Sequence, residues 1–237
     1  MIKLVVAITF GLLTLMFFRL CVVFLRRRII LARLAGRLKT RFSKRDNLNL
    51  LDRLAHSYFL QTGHSPLAYN VIHGRYNDTQ IVIFDYRMET GNGFQRVIHN
   101  HTMVVCFYGC SFPSLLVLEE NSFKPLAAYR FYTLLSGNES PLNSKFRFYT
   151  DQGQEESQLL TNPVHRVLEK FGAVECEFCE NRLIFKAPKL LPWADMVRLV
   201  KCATHCGKTI TTNLCHTGYS QADHKRRNLG LGRHTGN

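Results

Sequence analysis

Hydrophobic and polar positions fall into three regimes along this chain. From Leu4 to Leu25 almost every position is apolar, and Arg19 is the only charge. From Ile29 to Lys44 the apolar residues Ile30, Leu34, Leu38 and Phe42 recur every fourth position, beside Arg33, Arg37 and Arg41. That spacing predicts a helix with one apolar edge and a cationic face. From Asn47 onward short alternating runs and short helical runs follow one another, separated by Gly, Asn, Asp and Pro.

The first regime sets the expected placement of the rest. Its 22 residues reach roughly 33 Å as a helix, against about 30 Å for a bilayer core. Bulky and charged residues end it (Phe17-Phe18-Arg19-Leu20-Cys21) where a cleaved or lipidated signal would carry small ones. An uncleaved transmembrane anchor over 1–28 fits better than either. Arg19 lies close enough to the Leu25 end to reach headgroups, or else pairs with another helix. Arg26, Arg27 and Arg28 follow at once. The positive flank places the N-terminus outside and the domain inside, giving a single-pass inner-membrane protein with a cytoplasmic body. The sequons at Asn77, Asn100 and Asn138 are then chance matches.

Residues 29–46 form a basic juxtamembrane linker or helix in this reading, and 47–207 one folded domain. Asn47 to Gln61 begins with cap-forming residues and has a helical apolar side. Val71 to Tyr76, Gln80 to Glu89 and Phe94 to Tyr108 are strand-like, and Thr90-Gly91-Asn92-Gly93 joins the last two as a hairpin. Leu115 to Glu119 and Lys145 to Thr150 add short strands, with a loop-like stretch between them. Asn162-Pro163 opens a helix that Gly172 ends, and Val174 to Phe178 pairs with Arg182 to Lys186. A second helix starts at Pro192 and stops at Gly207. The expected class is α+β: an N-terminal transmembrane helix, then an antiparallel sheet covered by helices on one face. Residues 208–237 are polar and Gly-rich and read as a disordered basic tail.

Charge changes the picture in one respect. The net charge is +14, but nine Lys/Arg and no acid fall in residues 26–45, whereas residues 46–200 hold 14 basic and 16 acidic residues. A duplex-reading domain carries positive charge on its own folded face, so nucleic acid is not an expected partner. The expected partners are the membrane through residues 4–25, anionic headgroups through Arg26, Arg27, Arg28, Arg33, Arg37 and Arg41, and a membrane protein of unspecified kind.

Candidate chemistry is thin. Cys176-Glu-Phe-Cys179 and Cys202-Ala-Thr-His-Cys206 have the look of two zinc half-sites. Cys176 and Cys179, three apart on a strand, point to opposite faces, while Cys202 and Cys206 share a helix side. His99 and His101 share a strand face, as a metal pair must, but no third ligand is visible. Asp85, between Phe84 and Tyr86, reads as facing water or accepting hydrogen bonds beside the hairpin; the alternative is a catalytic carboxylate. Serine elbow, dinucleotide and Walker patterns are missing.

The succession Gly74-Arg75-Tyr76, Ile81-Val82-Ile83-Phe84-Asp85-Tyr86, Thr90-Gly91-Asn92-Gly93 and Thr102-Met103-Val104-Val105 resembles a pattern in uncharacterised bacterial single-pass membrane-anchored proteins. The resemblance covers roughly residues 47–207. It implies a tethered domain and carries no catalytic residue or cofactor. The expected function is a non-catalytic binding domain tethered to the membrane. The alternative is a zinc-dependent enzyme or zinc-stabilised domain using His99 and His101 or the cysteine pairs.

Overall fold

The computed structural model describes residues 2–120, 133–134, 145–150, 154–171 and 174–216. Its centre is a nine-stranded sheet in which every paired neighbour is antiparallel. The strands are β1 (Arg41–Arg45), β2 (His64–Tyr76), β3 (Thr79–Thr90), β4 (Val97–Phe107), β5 (Leu115–Glu119), β6 (Thr133–Leu134), β7 (Phe146–Thr150), β8 (Glu175–Cys179) and β9 (Arg182–Lys186). Their order across the sheet is β1-β2-β3-β4-β9-β8-β5-β7-β6. The β3–β4 hairpin pairs without interruption from Gln80↔Phe107 to Thr90↔Val97. β-branched and aromatic residues fill both strands, which suits a pleated surface buried on two sides.

Because strand side chains alternate, the sheet divides the core in two. On one face Ile72, Ile81, Ile83, Val104, Cys106 and Phe185 meet three helices: α1 (Ile2–Arg37), α4 (Gln154–Phe171) and α5 (Trp193–His216). On the other face Val82, Phe84, Tyr86, Met103, Val105 and Ile184 meet two one-turn helices, α2 (Leu50–Arg53) and α3 (Tyr58–Gln61). The sheet is therefore covered on both faces, and the single helix expected over 47–61 is two separate turns.

The expectation of a transmembrane helix is overturned. Among the described residues no helix is long and apolar enough to cross a membrane. The end of α1 belongs to the globular core: Leu31, Leu34 and Ala35 are buried against the sheet, as is Leu38 just beyond it. The basic helix expected over 29–44 accordingly ends at Arg37, and Arg41–Arg45 is an edge strand that pairs with β2.

Two other boundaries move. α4 begins at Gln154, so Pro163 lies inside it. α5 passes straight through Gly207 to His216, which absorbs the start of the expected tail; residues 217–237 lie outside the described residues, as do most of the stretch 121–144 and Asn138. Gly207 does not end the helix. A Cβ there would run into the Tyr108 ring, so the glycine is a packing requirement.

Candidate functional site

The molecule is organised at one end by Arg27. Its guanidinium makes two hydrogen bonds to Asp85, Nε to Oδ2 at 2.8 Å and Nη2 to Oδ1 at 2.6 Å. Nη1 donates to the Leu191 carbonyl at 2.9 Å, and Nη2 also reaches Thr102 Oγ1 at 3.4 Å. Asp85 is 1 % exposed and also accepts from Asn70 Nδ2 at 2.9 Å. Asp85 thus accepts hydrogen bonds, as one of the two expectations had it, but deep in mid-strand and tied to a helix, not facing water or beside the hairpin. A carboxylate this buried needs a charged, bidentate partner, and the planar guanidinium fits it. Arg27 is thus an internal clamp joining α1, β3, β4 and the segment before α5. It is not available to a lipid headgroup.

The clamp fixes the direction of α1. At the helix's end, Thr40 lies against Gly74, where an added Cβ would come within 2.9 Å of Thr40 Cγ2. Gly74 pairs with Ile81. The four strand residues from Ile81 to Asp85 cover about 13 Å, and the ten helical residues from Arg27 to Arg37 about 15 Å. Arg27 at Asp85 and Thr40 at Gly74 orient α1 so that its N-terminal part points to the end of the sheet that carries the β3–β4 hairpin.

That end of the molecule is apolar and uncovered. Phe10, Leu12, Leu13, Leu15, Met16, Phe17 and Phe18 of α1 are each more than half exposed, on every side of the helix. On the β3–β4 hairpin Phe94 is fully exposed, and Val97 and Ile98 are half exposed. A helix apolar all round is normally buried, and a contiguous exposed apolar patch marks an interaction site. Arg19 and Arg26 are exposed near the base of this prong. Arg96 lies at the hairpin and forms an ion pair with Glu89, which Arg87 also contacts at 3.0 Å. Sequence reasoning identified residues 4–25 and missed the hairpin. The one sign was Phe94 directly after the Gly-rich turn.

The remaining lipid-directed cations are distributed differently. Arg28 is half-buried, Arg33 is exposed, and Arg41 is exposed on the edge strand. Arg37 lies 4.5 Å above the ring of Trp193, the only tryptophan.

The opposite face of the sheet holds a buried polar group. His99 and His101 do share a face, with rings stacked 6.2 Å apart. His99 Nε2 is 2.7 Å from Thr90 Oγ1, and His101 Nδ1 donates to the Ala187 carbonyl at 2.9 Å. Among the described residues His101 Nε2 has no hydrogen-bond partner. Burial first, then the Lys186 charge, push the His101 pKa down to about 4, so the ring is neutral. Lys186 and Glu175 face each other across β8 and β9 and pair at 2.6 Å, with the ammonium 5.0 Å above Phe59. Glu177, buried on the same face, accepts from Ser57 Oγ at 2.5 Å and the Tyr58 amide at 2.9 Å. Its carboxyl capping tethers α3 to the sheet. Burial raises its pKa above the ordinary value.

The cysteine pairs are not assembled into one four-ligand set. Cys106, Cys176 and Cys206 are buried free thiols, and burial pushes Cys106 and Cys206 up to about 12. Cys202 is half-buried in a cleft between α4 and α5 that Cys206 also lines. Among the described residues no group of three or more His, Cys, Asp or Glu is arranged to hold a metal ion.

Against known proteins, no family model matches the chain, and no curated protein matches it. Among solved structures it is similar in fold to the crystal structure of the mycobacterial trehalose monomycolate transport factor A. The TM-score is 0.57 at 12 % identity, over 78 % of this chain and 93 % of that one.

Proposed function

We propose that this chain is a non-catalytic lipid-handling domain that docks on an anionic lipid surface with the end formed by α1 and the β3–β4 hairpin. The observation that carries the reading is the exposed apolar prong of α1, clamped to the sheet through Arg27 and Asp85. Burying the prong's apolar surface supplies the affinity, and each exposed cation close to the headgroups, such as Arg19 and Arg26, adds about 1 kcal/mol. The shared fold with a trehalose monomycolate transport factor supports lipid as the class of cargo. Asp85 and His101 are both buried and engaged by Arg27 and by the Ala187 carbonyl, which supports binding over catalysis.

Flotation with phosphatidylcholine–phosphatidylglycerol vesicles tests the proposal. The full chain should rise with the vesicles. The Phe10→Ser/Leu13→Ser/Phe17→Ser variant should stay at the bottom, and Arg19→Glu/Arg26→Glu should bind more weakly. Equal flotation of the chain and the triple variant would refute it.

A further inference from the structure

α4 and α5 pack side by side over the sheet, yet leave between them a cavity of about 340 Å³. That volume lies in the usual range for small-molecule sites, about 300–1,000 Å³. Its floor is apolar: Val167 and Cys206 are almost wholly buried. Its rim is cationic. Arg166 and Lys170 stand one turn apart on α4, and Lys201 faces them from α5 with His205 one turn further on. All four are exposed, and among the described residues no Asp or Glu lines the cleft. Like charges one turn apart on a helix repel, and here two such helices bring their cations to one mouth. A metal ion at Cys202 and Cys206 would sit among these cations, whereas an anion would relieve them.

We propose that the α4/α5 cleft binds one anionic amphiphile, with its phosphate or carboxylate head held by Arg166, Lys170 and Lys201 and its alkyl chain on the Val167–Cys206 floor. The proposal deepens the lipid-handling reading by giving the domain a site for a single lipid molecule. It concerns a different surface from the one that docks on a bilayer. Arg166 and Lys170 offer both a planar fork and a point charge, a combination that suits phosphate oxygens. Cys202, half-buried in the cleft wall, reports occupancy.

The test uses the full chain with dodecyl phosphate below its micellar concentration. Binding is followed by titration calorimetry and by the rate at which N-ethylmaleimide alkylates Cys202, read by peptide mass spectrometry. One equivalent should bind and slow Cys202 alkylation at least tenfold. Arg166→Gln/Lys201→Gln should weaken binding at least tenfold; both side chains are exposed, so the variant keeps its fold. Dodecanoate should bind as well, since the head is recognised by its charge. If inorganic phosphate binds as tightly, the ligand is a free anion and the lipid assignment is overturned. If neutral dodecyl maltoside protects Cys202 as well, the anionic assignment is overturned. Phe10→Ser/Leu13→Ser/Phe17→Ser should keep dodecyl phosphate binding while losing vesicle flotation, so the two proposals fail separately.

Discussion

Arg27 and Asp85 are 58 residues apart in the chain and hold each other by two hydrogen bonds of 2.8 and 2.6 Å. The contact makes the end of the apolar helix a structural part of the sheet. It also sets the angle at which the exposed part of α1 leaves the domain.

Removing one member of this pair leaves the other buried and unneutralised. Arg27→Met should therefore cost about 3 kcal/mol, the low end for a broken buried pair because Arg27 is one-fifth exposed. Arg27→Met/Asp85→Leu should recover much of that. Urea unfolding monitored by circular dichroism measures both. A loss below about 1 kcal/mol for Arg27→Met would show that the clamp is not needed.

His101 makes stability depend on pH in a defined window. Its folded pKa is depressed to about 4 from 6.5, so between these values the unfolded chain binds more protons than the folded one. The contribution is therefore complete above pH 6.5 and is lost as pH falls toward 4, to a limit of about 3 kcal/mol. Glu177, with a raised pKa, works in the opposite sense. The comparison is therefore between the native chain and His101→Gln across pH 4–7. The difference between their unfolding free energies should shrink steadily as the pH drops; a constant difference would contradict the assignment.

Gly207→Ala forces a methyl group into the Tyr108 ring. Overpacking of this kind costs about 1–3 kcal/mol. Tyr108→Leu in the same chain should restore part of it by opening space beneath the helix. Thermal melts would show this, and an unchanged melting temperature for Gly207→Ala would mean that α5 is spaced differently from β4.

The thiols should divide by exposure. Native protein should lose Cys202 to maleimide within minutes, while Cys106, Cys176 and Cys206 react only on unfolding, because burial keeps them protonated and out of reach. Peptide mapping decides it. Rapid labelling of Cys176 in the folded protein would place β8 incorrectly.

Several elements were legible because the information for them is local. The β3–β4 hairpin shows in β-branched runs around Thr90-Gly91-Asn92-Gly93, the β8–β9 hairpin in its turn near Glu180, and the start of α5 in Pro192. The shared face of His99 and His101 follows from the two-residue period alone. Local pattern also produced the errors. Gly207 looks like a helix stop unless Tyr108 is known to lie above it, and a four-residue apolar repeat over residues 29–44 looks helical to its end although β2 takes Arg41–Arg45 as a strand.

Apolarity by itself determined that the N-terminal stretch would be a helix seeking a non-aqueous surrounding, because helix formation and hydrophobicity are properties of neighbouring residues. Only the tertiary structure decided how much of that helix the protein keeps for itself. Burial of Leu31, Leu34 and Leu38 and the Arg27–Asp85 pair depend on residues dozens of positions away. So does the meeting of α4 with α5 around a cationic cleft. Charge and packing partners are set by distance in space, which a linear pattern does not contain.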